Sequence, residues 1–171
     1  CRDTVRCTSA AIGTQPGYAL AVSYDHPTTE TTAMAQIENV LYTGKTHTTG
    51  GRDGESRSSD DRLNVKLSSP GGPGTGSNPE QLLGAGWSAC FIGAMGLAAR
   101  ERKIALPKDT AVDAEIDLGT GNGGYFLQAR LTVSLPGIDP DVAHELIQSA
   151  HRTCPYSKAT RGNIDVEIRL A

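Results

Sequence analysis

Along this chain apolar and polar residues alternate in some stretches and follow a helical period in others. Over residues 40–49, β-branched side chains alternate with polar ones until Gly50-Gly51 interrupts them, which predicts a strand. Asp53-Gly54 is a hairpin-type turn signal. Leu63, Val65 and Leu67 then alternate with polar neighbours and predict a second, half-buried strand. Gly71, Gly72, Gly74 and Gly76 make residues 70–77 a flexible loop. A helix is predicted to start at Asn78-Pro79-Glu80, because Asn caps well, Pro suits the first helical position and an acid suits the positive end of the dipole. No charged residue occurs over 82–99, so this helix is apolar on every side and belongs inside protein, its Gly and Ala residues letting neighbours approach.

Two more strands are predicted over 112–118 and 125–135, joined across Gly121, Gly123 and Gly124 and closed by Pro136-Gly137. Residues 139–153 read as an amphipathic helix, with Val142, Ala143, Leu146, Ile147 and Ala150 on one face. Ile164, Val166, Ile168 and Leu170 alternate with Asp165, Glu167 and Arg169 and predict a final strand. The order β, β, long helix, β, β, helix, β predicts an α+β fold with largely antiparallel sheet.

Residues 1–33 show no sustained period and run into a threonine-rich patch at Thr28, Thr29, Thr31 and Thr32. They lack the basic-then-apolar pattern of a signal peptide, and Met34-Ala35-Gln36 reads as a natural start. The expectation is an extension over 1–33 that stands apart from one domain over 34–171. A length of 171 residues suits one core. The net charge of −3 offers no electrostatic reason to bind nucleic acid or an anionic membrane. Arg100, Arg102 and Lys103 surround Glu101 and read as a solvated helix end. The uncharged run over 82–99 approaches the length of a membrane span, but its glycines make it only mildly apolar, and a core helix is expected instead.

The four cysteines, Cys1, Cys7, Cys90 and Cys154, change this picture. A domain of this size needs no disulfide framework. Cys90 in the middle of the apolar helix is compatible with inert core packing or with a nucleophile. The helix dipole cannot activate it, since a dozen residues put it about 18 Å from the cap, so activation would require a cation from elsewhere in the fold. Cys154 follows the amphipathic helix and precedes Pro155, a surface-proximal place where a thiol could swing or could simply be exposed. His144 and His151 lie off the apolar face and are expected to be solvated, so no metal site is expected. No phosphate-binding loop, dinucleotide fingerprint or nucleophile elbow is present, and no bound cofactor is expected.

Four stretches together resemble one family. They are Thr49-Gly50-Gly51-Arg52-Asp53-Gly54; Asn78-Pro79-Glu80-Gln81-Leu82; Ser88-Ala89-Cys90-Phe91-Ile92-Gly93-Ala94; and Cys154-Pro155-Tyr156-Ser157 running on through Ala159-Thr160-Arg161-Gly162-Asn163-Ile164-Asp165-Val166. In order and spacing the chain from Met34 to Ala171 is similar to the organic hydroperoxide resistance proteins of the osmotically inducible (OsmC-type) group. The resemblance implies an intertwined homodimer with a central helix from each subunit. It also implies a thiol peroxidase of organic hydroperoxides in which Cys90 attacks, Cys154 resolves, Arg52 activates and Glu80 orients Arg52; a cytoplasmic setting is expected because no targeting signal is recognisable and the thiols must stay reduced. The reductant it implies is the dithiol of lipoyl-bearing proteins. Trp87 and Lys158 depart from the residues common in the family, and Trp87 is expected to reshape the pocket for the substrate tail. For Arg52 to reach both Glu80 and Cys90, ten residues apart, the helix is expected to break near Gly84-Ala85-Gly86. A sister-branch peroxidase with another peroxide preference and a non-enzymatic redox sensor are the rival readings.

Overall fold

The computed structural model describes residues 36–171, so the expectations for residues 1–33, with Cys1 and Cys7, lie outside the described residues. The chain divides into two units, Cys1–Leu41 and Tyr42–Ala171, and every element below belongs to the second.

A first sheet holds β1 (Thr46–Thr49), β2 (Glu55–Ser58) and β3 (Asn64–Lys66), paired antiparallel in that order. The strand expected over 40–49 is confined to its last four residues, and residues 40–45 form no regular element. The hairpin signal at Asp53-Gly54 is where the chain turns, through a 3-10 turn over Gly51–Asp53. The partner across that turn is β2, with sequence Glu-Ser-Arg-Ser, which apolar alternation could not reveal. The loop over 70–77 is closed at its base by Ser77, which pairs with Leu67 and exchanges backbone hydrogen bonds with Lys66 and Ser68.

Helix α1 (Pro79–Glu101) starts as its sequence demands. The Asn78 side chain accepts from the Gln81 N–H at 2.8 Å, the Gln81 side chain accepts from the Asn78 N–H at 3.2 Å, and Pro79 occupies the first turn. Length and composition alone would let α1 cross a membrane. In the fold it packs against β4 (Ala111–Gly121), α2 (Pro140–Thr153) and α3 (Pro155–Thr160). Only one side is covered, however. Trp87, Phe91, Ala94, Met95 and Ala98 are buried, whereas Gln81, Ala85, Ala89, Gly93 and Leu97, four residues apart, are exposed.

Strands β4, β5 (Gly124–Ser134) and β6 (Asp165–Leu170) form the second sheet. The β4–β5 pair is antiparallel and β5–β6 is parallel, so α2 and α3 serve as the crossover that a parallel pair requires. Ala129, Leu131 and Val133 alternate inward from β5 and meet Phe91 and Met95 of α1 and Ala143, Ile147 and Ala150 of α2 in one core. The outer face carries charge: Arg130 is paired with Glu115 and Asp117 across the strands. The architecture is α+β, with two sheets, a long central helix and a second amphipathic helix.

Candidate active site

Pro155 has no N–H to continue α2, and the residue before a proline avoids the helical region, so Cys154 takes φ −59° and ψ 124° and the chain bends. The Cys154 carbonyl then accepts from the Lys158 N–H at 2.9 Å and starts α3. Cys154 is thus the knee between two helices, and it is completely buried. This corrects the expectation of a surface-proximal thiol: α3, absent from the predicted element order, folds back and covers it. No swing is needed to bring the cysteines together. The sulfurs of Cys154 and Cys90 are 3.2 Å apart, both as free thiols.

Cys90 is half-buried on α1, one turn beyond Trp87. Burial, with its loss of hydration, pushes the Cys90 thiol up from the ordinary cysteine value, and the adjoining Cys154 thiol pushes the same way. The backbone of Tyr156 pushes the other way.

Arg52 sits in the 3-10 turn and makes a fork-to-fork pair with Glu80 in the first turn of α1, Nη2 to Oε1 at 2.6 Å and Nη1 to Oε2 at 2.9 Å. Glu80 is buried, and the hydrogen bonds from Arg52 hold its carboxyl below the usual range. The expected break in α1 does not occur. The helix is uninterrupted because its glycines serve close approach: a Cβ on Gly84 would lie 3.4 Å from Ile116 and 3.5 Å from Ala114. Ten residues of unbroken helix separate the Glu80 and Cys90 Cα atoms by about 15 Å. Arg52 gives one N–H of each terminal nitrogen to Glu80, and no hydrogen bond joins it to Cys90. Arg52 therefore bonds Glu80 alone of the two in this structure. The four residues form two pairs, a thiol pair and an ion pair.

Comparison with known proteins adds a further observation. Residues 72–169 match the model of the family described as OsmC-like protein. An organic hydroperoxide resistance protein of Xanthomonas axonopodis pv. citri is 46% identical over 142 residues, covering 81% of this chain and all of that one. The chain belongs to the OsmC-like family. Among solved structures, the organic hydroperoxide resistance protein OhrB of Bacillus subtilis superposes with a TM-score of 0.73 at 39% identity, covering 77% of this chain and 100% of that one. A Legionella pneumophila structure described as an organic hydroperoxide resistance protein gives 0.72 at 37% identity, covering 78% and 99%.

Within this OsmC-like domain three further features surround the pairs. An open groove of about 840 Å³ runs between α1 and β4, lined in part by Glu80, Gly84, Ser88, Ala114 and Ile116; it borders Glu80 but does not include Cys90. Ser157, which accepts from the Trp87 indole beside the thiol pair, escaped sequence reasoning as a contributor to the site, although Pro155 at a first helical position was a signal that a helix starts there. His151, expected to be solvated, is half-buried, its Nδ1 buried without a hydrogen-bond partner. Burial and the nearby Arg161 push its pKa down. Among the described residues no three His, Cys, Asp or Glu side chains converge on a metal position.

Proposed function

We propose that this protein is a two-cysteine peroxidase that reduces organic hydroperoxides to alcohols. The observation that carries the reading is the contact between two free thiols, one half-buried and one buried, at 3.2 Å in a domain whose relatives are named for organic hydroperoxide resistance. The Cys90 thiolate attacks the terminal oxygen of the hydroperoxide. The O–O bond breaks, the alkoxide leaves and takes a proton to become the alcohol, and Cys90 becomes a sulfenic acid. Cys154 then attacks the Cys90 sulfur; an S–S bond forms, the S–O bond breaks and hydroxide leaves as water. An external dithiol returns two electrons and two protons.

Arg52 takes the role of the cation that favours the thiolate and the departing alkoxide, with Glu80 orienting it. Glu80 takes one N–H from each terminal nitrogen of Arg52, so acting at the sulfur requires the ion pair to approach Cys90 with the remaining guanidinium donors. We assign the reductant to lipoyl dithiols on the family resemblance, and the setting to the cytoplasm because the two thiols must stay reduced between turnovers. We further assign a homodimer, in which the exposed small-residue face of α1 meets a second copy; Leu97, 56% exposed, is the largest apolar side chain on that face.

The test is consumption of cumene hydroperoxide with dihydrolipoamide by the wild type, Cys90→Ser and Cys154→Ser. Turnover by the wild type alone, with one round of reaction in Cys154→Ser and none in Cys90→Ser, is expected. Activity in Cys90→Ser would overturn the assignment. Binding or oxidation once without multiple turnovers in the wild type would favour a redox sensor.

A further inference from the structure

Helix α3 is six residues long, too short to hold itself together, yet its N-cap residue Cys154 is the one that meets Cys90. Three positions on α1 receive it. At Gly86 the Tyr156 ring lies so close that an added Cβ would stand 3.0 Å from its hydroxyl oxygen and 3.5 Å from Cζ. At Trp87 the indole Nε1–H donates to Ser157 Oγ at 3.1 Å, with both residues completely buried. At Cys90 the sulfur meets that of Cys154, the residue that caps α3, at 3.2 Å.

The spacing matters. Trp87 lies three residues before Cys90 on α1, and Ser157 lies three residues after Cys154. The indole–hydroxyl bond and the sulfur contact are therefore two bridges between the same pair of segments, about one helical turn apart. Indole has one donor and no acceptor, so a slide of α3 along α1 would leave that N–H buried and unpaired. A thiol pair has no such directional demand.

We propose that Trp87 and Ser157 are positioning residues for the cysteine pair, setting the register of α3 on α1 and so the effective concentration of the Cys154 thiol at Cys90. This rests on the reading of Cys90 and Cys154 as a redox couple. Without the bridge the disulfide forms less favourably, and a Cys90 sulfenic acid waits longer and is carried on to sulfinic acid by excess peroxide.

The test uses the full chain, with Ser157→Ala, Trp87→Phe and the double variant equilibrated against oxidised and reduced dithiothreitol. Ser157→Ala should lower the equilibrium constant for the Cys90–Cys154 disulfide about tenfold, a shift of about 30 mV toward a more oxidising potential. Trp87→Phe should move it in the same direction. The double variant leaves neither polar group orphaned, so it should regain part of the thermal stability lost in Ser157→Ala while its potential stays shifted. Mass spectrometry after cumene hydroperoxide should show more sulfinate at Cys90 in all three. A wild-type potential in Ser157→Ala and Trp87→Phe, or recovery of stability and potential together in the double variant, would overturn the proposal. Because the equilibrium with dithiothreitol involves no peroxide, it tests positioning even if the wild type fails to consume hydroperoxide, a failure that would count against the peroxidase reading alone.

Discussion

The turn that carries Arg52 offers a sharp contrast between two glycines three residues apart. Gly51 has φ +58° and nothing within 4 Å of an added Cβ, so Gly51→Ala meets only backbone strain of roughly 1–2 kcal/mol. Gly54 is different: a Cβ there would lie 1.8 Å from the Thr49 carbonyl oxygen and 2.7 Å from the Gly50 Cα. These are backbone atoms, so no side-chain rotation relieves the collision, and the turn must open by about 1 Å or more to restore ordinary contact. Arg52 lies inside that turn, and its two bonds to Glu80 at 2.6 and 2.9 Å demand a fixed fork geometry. Gly54→Ala should therefore disconnect Arg52 from Glu80 while α1, capped independently by Asn78 and Gln81, stays folded. In the cumene hydroperoxide assay kcat/KM should fall about a hundredfold, the scale of losing one charge-stabilising donor, and match Arg52→Ala. Gly51→Ala should lose only a few-fold, with circular dichroism showing equal helix content in all three variants. Wild-type turnover by Gly54→Ala, or a loss in Gly51→Ala as large as in Gly54→Ala, would refute the link from turn geometry to Arg52.

Two pH dependences follow from the same geometry. Alkylation of Cys90 by iodoacetamide should rise with a midpoint above the ordinary cysteine value of about 8.5, since burial and Cys154 both disfavour the thiolate, and Cys154→Ser should bring that midpoint down; a midpoint below that of a free cysteine would contradict this and place a cation at the sulfur. Glu80 titrates below its unfolded value because Arg52 donates to it. Its contribution to stability is accordingly complete above about pH 4.3 and lost as the pH falls through the lowered folded pKa. Urea unfolding of the wild type and Glu80→Gln should converge in that acid window, and a constant difference from pH 7 down to pH 2 would refute the pairing.

Much of the architecture could be read from local chemistry, because local chemistry alone sets it. The Asn78 cap with Pro79 and Gln81 starts α1 wherever the helix lies. The inward alternation of Leu131 and Val133, and the apolar stripe of α2 through Ala143, Leu146, Ile147 and Ala150, each declare a period and a buried face. Strand β2 was illegible for the opposite reason: apart from Ser56 it buries nothing, so no apolar pattern marks it. The resemblance singled out the chain's Cys90, Cys154, Arg52 and Glu80, but motifs in series say nothing of distance. Only the tertiary structure decided that Arg52 binds Glu80 with both terminal nitrogens and stands apart from Cys90, because that depends on whether α1 bends, and two glycines are equally suited to a break or to close contact with β4 and Tyr156. It also decided that Cys154 is buried against Cys90, since covering that knee takes α3 folding back onto Trp87 through a hydrogen bond spanning 70 residues of chain. Periodicity reports which face of an element avoids water; which element meets that face is a property of the whole packed core.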